Sequence, residues 1–251
     1  MKILLLDIES APTKVYIWDL FTRYVPHSQI VEPGYTLCWA AKWLGKKEIM
    51  FRSTHEHGEK AMIHEIWHLL NETDVVIHFN GSKYDIPKLN NEFLKLGLGP
   101  PAPFQEIDCY KTVKARFKLL SNSMAYVAKV LGIKGKHNHK GMPLWTECMA
   151  GDKAAWREMK KYNVQDVRML EQIYDRIRPW VQPHPNVALY NDGDDMQCPA
   201  CGSHNLQKRG SSYTNTMRYQ RFHCKDCGKW SRARKNNLPK DKKDQLLVGV
   251  K

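Results

Sequence analysis

Four carboxylates, a phenol and four thiols stand in this 251-residue chain at spacings that could do chemistry. Asp7 and Glu9 end the apolar run KILLLDIE, Lys2 to Glu9. Side chains two apart on a strand share a face, so both acids point the same way, with nothing of opposite charge in the local sequence. Adjacent anions at the end of a buried strand need cations, and divalent metal is the natural supply. Asp85 follows an apolar strand and a glycine-containing turn, Val75 to Pro87, with Asn80 and Tyr84 just before it. Tyr162 and Asp166 stand four apart, on one face of a helix. Each feature has a plainer reading: solvated acids at a strand end, an N-cap for Asp85 with Pro87 in the first helical turn, and a half-exposed pair on an amphipathic helix.

The thiols form a second pattern. Cys198-Pro199-Ala200-Cys201-Gly202 and Cys224-Lys225-Asp226-Cys227-Gly228 are two C-x-x-C knuckles separated by 22 residues, while Cys38, Cys109 and Cys148 are scattered. Paired C-x-x-C turns close a tetrahedral site of four thiolates, and the glycine after each pair permits the tight turn. The expectation is a zinc ribbon holding structural Zn²⁺ on Cys198, Cys201, Cys224 and Cys227, because so small a module cannot bury enough core to fold without metal.

Around these residues the first sixty positions read as β-rich, with strands predicted at Lys2–Glu9, Lys14–Leu20, Thr36–Leu44 and Glu48–Arg52, a meander that opens a mixed sheet. A helix is predicted over Glu59–Asn71, striped by Ile63, Ile66, Trp67 and Leu70. Within it His64-Glu65-Ile66-Trp67-His68 fits the H-E-x-x-H pattern of zinc proteases, without an evident third ligand. The segment Asp108 to Lys118 carries Lys111, Lys114, Arg116 and Lys118, which suit either a phosphate backbone or a solvated helix face. A helix through Met124 and Leu131 is expected to be capped by Ser121 or Asn122, a polar loop with His137 and His139 follows, and a helix over Asp152–Trp180 is expected to bend near Asn163.

Net charge is +13 and uneven: +6 over residues 1–181 (26 Lys and Arg against 20 Asp and Glu) and +10 over residues 197–251 (13 against 3). A short, strongly basic module points to a polyanion, most often nucleic acid. Between its knuckles Tyr213, Met217, Tyr219 and Phe222 alternate with Lys208, Arg209, Arg218 and Arg221, which suits base stacking and phosphate contact. The apolar run after Lys2 is too short for a secretion signal and nothing approaches a membrane span, so a cytoplasmic protein with no membrane partner is expected. The expected organisation is a domain at 1–181, a linker at 182–196, the zinc ribbon at 197–232 and a basic, partly disordered tail at 233–251.

Taken together and in order, Asp7-x-Glu9, Asn80-x-x-x-Tyr84-Asp85 and Tyr162-x-x-x-Asp166 resemble the three motifs of the DEDD 3′–5′ exonucleases. The resemblance is to the tyrosine subclass, which has a DnaQ-like, ribonuclease-H-like fold, and within it to family B polymerase proofreading domains and stand-alone phage and bacterial exonucleases. It covers roughly residues 1–180. Lys161, five before Asp166, disfavours the histidine subclass. The resemblance implies an α/β fold, with a ribonuclease-H-like mixed sheet flanked by helices ahead of the four-cysteine ribbon. It also implies two catalytic ions, Mg²⁺ or Mn²⁺: Asp7 bridging both, Glu9 and Asp166 completing the water-activating site, and Asp85 serving the leaving-group site. Tyr162 would orient the attacking water and Asn80 would contact the terminal nucleotide. The implied substrate is nucleic acid, DNA ahead of RNA and single-stranded 3′ ends first, in a bacterial cell or phage-infected host, with a replication polymerase as a candidate partner. A structure-selective endonuclease on the same fold and a non-catalytic nucleic-acid-binding or polymerase-accessory protein are the alternatives.

Overall fold

The structure, a computed structural model, describes residues 1–135, 140–193 and 195–249. His137 and His139, expected in a polar loop, lie outside the described residues. Two compact units divide between Tyr174 and Asp175.

The larger unit is an α/β layer structure. In chain order its elements are β1 (Ile3–Ser10), β2 (Lys14–Val15), β3 (Ile30–Glu32), β4 (Thr36–Trp43), β5 (Met50–Ser53), α1 (Thr54–His57), α2 (Glu59–Asn71), β6 (Val75–His78), α3 (Asp85–Lys95), β7 (Gln105–Asp108), α4 (Cys109–Arg116), α5 (Met124–Val130), α6 (Met142–Met149) and α7 (Lys153–Ile177). Five strands make a mixed sheet in the order β5-β4-β1-β6-β7, antiparallel on the β4 side of β1 and parallel on the β6 side. The sheet is thus the expected ribonuclease-H-like one.

β1 is central and covered on both faces, which its unbroken apolar run Ile3–Leu6 requires. Leu4, Leu6 and Ile8 pack with Trp39, Met62, Ile63, Ile66, Leu89 and Phe93, so one face of the strand carries α2 and α3. Each fully buried leucine contributes about 2 kcal/mol by leaving water. The indole N–H of Trp39 donates to the Met62 carbonyl at 2.9 Å and ties α2 down. On the opposite face, where Leu5, Asp7 and Glu9 point, lies α7. Lys42, opposite Leu5 on β4, forms a largely buried ion pair with Glu171 of α7, which fixes the helix over the strand.

Local details differ from the sequence expectations or add to them. Lys14–Leu20 pairs only at Lys14 and Val15, because the aromatic run beyond them meets no second layer, and strand propensity is a preference for a half-buried pleated surface. α7 is one unbroken helix through Asn163, whose amide donates across the core to the Asp7 carboxylate and carbonyl instead of competing with the helix backbone. The cap of α5 is Ser123, whose hydroxyl accepts from Tyr126 N–H. In the H-E-x-x-H segment Glu65 is held by Nε and Nη2 of Arg52, each 2.6 Å from a carboxylate oxygen, and His68 packs edge-on against Trp67. Neither group of clustered ligands among the described residues includes that segment.

The smaller unit, from Asp175, contains short 3-10 turns at Arg178–Trp180 and Val187–Tyr190, then β8 (Leu206–Tyr213), β9 (Arg218–Cys224), β10 (Trp230–Asn236) and α8 (Lys240–Asp244). The strands form an antiparallel sheet in the order β10-β9-β8. β10 runs past residue 232 because Arg218 binds the Asn237 side chain and backbone, while Asn237 N–H donates back to the Arg218 carbonyl. Among the described residues no helix is long and apolar enough to cross a membrane.

Candidate active site and metal centres

Asp7, Glu9 and Asp166 come together: one carboxylate oxygen of each lies within 4.8 Å of the others. The first two follow from the alternation of β1, where Asp7 sits opposite Ala40 and Glu9 opposite Cys38. A register shift immediately after Glu9 lets the strand leave the sheet at the point where the acids are presented. The third comes from α7, where Tyr162, Asn163 and Asp166 fall at the spacing that continues the buried stripe of Met159, Leu170 and Ile173.

Asn163 is not among the expected site residues, although a buried asparagine on the core stripe, three before Asp166, is the signal that could have found it. Its Nδ2 donates to Asp7 Oδ2 at 2.7 Å and to the Asp7 carbonyl at 3.3 Å. Its Oδ1 lies 3.9 Å from Cys38 Sγ. Burial, then the charges of Glu9 and Asp7, push the Cys38 thiol well up, so it stays protonated and donates. That fixes which end of the asparagine amide faces Asp7.

Asp85 is the first residue of α3 but does not cap it; the cap position is Tyr84, with no side-chain capping bond. Its Oδ1 instead accepts from Ile8 N–H at 3.1 Å. The pairing of β1 with β6 ends at Leu5 and Ile77, so the carboxylate takes up a strand amide that β6 no longer reaches. Asp85 thereby stands beside the two acids of β1 without joining the group of three ligand atoms. Burial, opposed by His78 and by backbone N–H groups, pushes its pKa up to about 6.

The turn that delivers Asp85 is over-determined. Asn80 adopts a left-handed φ of 67° and its N–H donates to Asp108 Oδ1 at 2.9 Å. Asp108 also accepts from Ser82 Oγ at 2.7 Å and caps α4 through Tyr110 and Lys111 N–H. His78, fully buried, accepts from Gly81 N–H at Nδ1, which leaves Nε2–H to donate to Glu106 at 2.8 Å. A Cβ on Gly81 would meet the His78 ring at 2.5 Å, which is why glycine stands there.

Tyr162 is buried against Trp145, edge to face with ring centroids 5.9 Å apart. Burial first, then the charges of Asp166, Glu9 and Asp7, hold its phenol well above the usual tyrosine range. It is therefore a protonated O–H donor near neutrality and no base. A cleft of about 410 Å³, lined by Ser10, Thr13, Tyr84, Lys88, Met142 and Trp145, opens beside these groups, and the Lys88 ammonium lies 5.0 Å from the Tyr84 ring centre.

In the smaller unit all four expected thiols converge: Cys198 and Cys227 Sγ are 3.6 Å apart, Cys201 and Cys224 Sγ 3.7 Å, and all four lie within 4.8 Å. None is in a disulfide. A tetrahedral ion at about 2.3 Å from each sulfur requires sulfurs about 3.8 Å apart, so the set fits Zn²⁺. Each knuckle turns through a left-handed glycine, Gly202 at φ 73° and Gly228 at φ 78°, whose N–H donates to the carbonyl of the first cysteine. Burial works against a Cys224 thiolate, but the N–H groups of Cys227 and Asp226 overcome it and bring its pKa down to about 7.

Two outcomes are expected from these geometries. The raised pKa of Asp85 means that this carboxylate supports the metal-free fold below about pH 4, and that the support is lost as pH rises through about 6. Asp85→Asn should therefore raise the stability of the zinc-loaded protein without Mg²⁺ or Mn²⁺ at pH 8 by up to about 3 kcal/mol and flatten its pH dependence between 4 and 6, measured by denaturant unfolding. Metal analysis should find one zinc per chain, and its removal by a strong chelator should abolish the near-ultraviolet signal of the aromatics in the smaller unit while the larger unit still melts cooperatively.

Residues 11–178, well over half of the chain, match the family model of the RNase H superfamily; the match begins just after Glu9. Among solved structures the fold is similar to that of the family B DNA polymerase from the hyperthermophilic archaeon Pyrobaculum calidifontis, with a TM-score of 0.54 and 16% sequence identity. That similarity covers 71% of this chain and 24% of the polymerase, so the chain spans about a quarter of it. Comparison with curated protein sequences gives no match. With its mixed sheet, its central acid-bearing strand and this family match, the chain belongs to the RNase H superfamily.

Proposed function

We propose that this protein is a metal-dependent 3′–5′ exonuclease that hydrolyses phosphodiester bonds of single-stranded DNA, or of RNA, with a C-terminal zinc ribbon that holds the nucleic acid. The observation that carries the reading is the meeting of Asp7, Glu9 and Asp166 within 4.8 Å beside a protonated Tyr162. A pure phosphate binder gains nothing from converging anions.

The donor set is all carboxylate oxygen, which suits Mg²⁺ or Mn²⁺ held by Asp7, Glu9, Asp166 and Asp85. Bound there, such a pair of ions neutralises charge developing on the entering and leaving oxygens of an in-line displacement. The protein's own groups do the rest. Asn163 fixes the Asp7 carboxylate, and β1 alternation fixes Glu9. Tyr162 offers its hydroxyl proton to the attacking water and sets its direction without removing its proton. Asn80, in a turn locked by Asp108 and His78, addresses the terminal nucleotide, whose base and sugar fit the cleft between Tyr84 and Trp145. In the zinc ribbon, the Arg232 guanidinium lies 3.8 Å from the Tyr219 ring centre and that of Arg221 5.0 Å from Trp230. These cation and aromatic pairs, in a segment of net charge +10, suit phosphates and bases.

The test is digestion of end-labelled linear and circular single-stranded and duplex DNA and RNA with Mg²⁺ or Mn²⁺. Release of mononucleotides from linear 3′ ends, with circles intact, is the expected result, and Asp7→Ala should lower turnover by at least about a thousandfold while nucleic acid still binds. Nicked circles would make the protein an endonuclease. Salt-sensitive binding with no cleavage of any substrate would make it a binding protein.

A further inference from the structure

Between β2 and β3 the chain exposes Tyr16, Ile17, Trp18, Leu20, Phe21 and Tyr24, with Trp18 97% and Phe21 91% accessible. So many large apolar side chains in so short a stretch, held clear of every packed layer, mark a contact surface. The segment has a defined form. Asp19 accepts from Phe21 N–H at 3.3 Å through its side chain and from the Thr22 hydroxyl at 2.8 Å through its carbonyl, a turn that carries Leu20 and Phe21 at its apex. Below the turn, Tyr16 N–H donates to the Gln29 carbonyl at 2.9 Å, and the two-stranded β2–β3 arm begins.

The arm stands on the cleft. Ala11 N–H donates to the Tyr35 carbonyl at 2.8 Å and Gly34 N–H to Thr13 Oγ1 at 3.1 Å, so Ser10 to Thr13 are at once the end of the acid-bearing strand, one wall of the cleft and the foot of the arm. Trp18 is five residues from Thr13, a reach of at most about 17 Å, or a few nucleotides of single strand. The aromatic tip thus lies within a few nucleotides' reach of the cleft assigned above to the terminal nucleotide.

Charge selects the occupant. Residues 16–24 contain one acid, Asp19, and one base, Arg23. An anionic lipid surface is drawn by clusters of Lys and Arg, which this tip lacks. Flat aromatic faces without net charge suit nucleobases, which stack on them irrespective of sequence, each stacked base giving about 1–3 kcal/mol. We propose that the tip formed by Tyr16, Trp18, Phe21 and Tyr24 is a stacking platform for the bases that lie 5′ of the terminal nucleotide on a single-stranded substrate. This deepens the exonuclease reading and rests on it, because it gives the site a preference for unpaired strands long enough to reach the tip.

The experiment is fluorescence anisotropy of the full-length, zinc-loaded protein without added Mg²⁺ or Mn²⁺, so that nothing is cut, with a 5′-labelled single strand of about a dozen nucleotides and with the same strand lacking the bases of the second to fifth nucleotides from its 3′ end. The wild type should bind the base-free strand about tenfold or more weaker. Trp18→Ala/Phe21→Ala should bind the intact strand about as weakly, with no further loss when the bases are removed. Trp18→Phe should keep the wild-type pattern, and an unchanged unfolding midpoint shows that the double variant is folded. Wild-type affinity in the double variant, or equal loss on both strands, overturns the platform. So does loss of neutral-vesicle binding or of self-association with strand binding intact, which would assign the tip to a membrane or a second copy. The readout is independent of cleavage: absence of turnover with base-dependent binding refutes the exonuclease reading alone, and turnover with base-independent binding refutes the platform alone.

Discussion

Three carboxylates within 4.8 Å of one another are a standing repulsion, and most of the larger unit is arranged to sustain it. Two unit charges at that distance repel by about 3 kcal/mol at an effective dielectric of 20. A central strand buried on both faces supplies two of the acids and cannot slip by one residue without driving Asp7 and Glu9 into the apolar cluster of Leu4, Leu6 and Ile8. The helix that supplies the third is held over that strand by the Lys42–Glu171 pair and by Asn163, whose amide reaches Asp7. Burial first, and then the same charges, keep Tyr162 and Cys38 protonated. A cation bound among them would relieve the tension.

Asp85 illustrates how the fold and the chemistry share a residue. Its carboxylate completes the hydrogen bonding of β1 where β6 falls short, and burial makes its charged form unfavourable in the absence of metal. Asp108, His78 and Glu106 determine the turn from which Asp85 departs. The smaller unit solves a different problem with softer donors: four thiols converge on one site, replacing the hydrophobic core that so short a module lacks.

Much of this was legible in the sequence because the informative residues announce themselves by type. Acids at the end of an apolar run, and cysteines three apart before a glycine, are costly in a core unless something binds them. The sheet, too, could be read from apolar runs and turn signals. Other parts could not be read. Asn163 and Asp7 are 156 residues apart, and Asp108 and Asn80 are 28 apart; each looks ordinary beside its chain neighbours and acquires its role only across the fold. The segment after Val15 reads as a strand because Tyr, Ile and Trp favour strands, yet propensity cannot say whether a second layer exists to cover them. Here none does, and the residues that misled the strand assignment are those that now stand exposed at the tip.

The central claim is that the acids of β1, α3 and α7 exist to hold a pair of hard divalent ions. The most direct measurement is the stoichiometry of Mn²⁺ on zinc-loaded protein, by electron paramagnetic resonance of free Mn²⁺ during titration. Two ions per chain, both lost or weakened in Asp7→Asn and one retained in Asp85→Asn, is the result the account predicts. No Mn²⁺ bound at millimolar concentration, or binding that is indifferent to both substitutions, would contradict it.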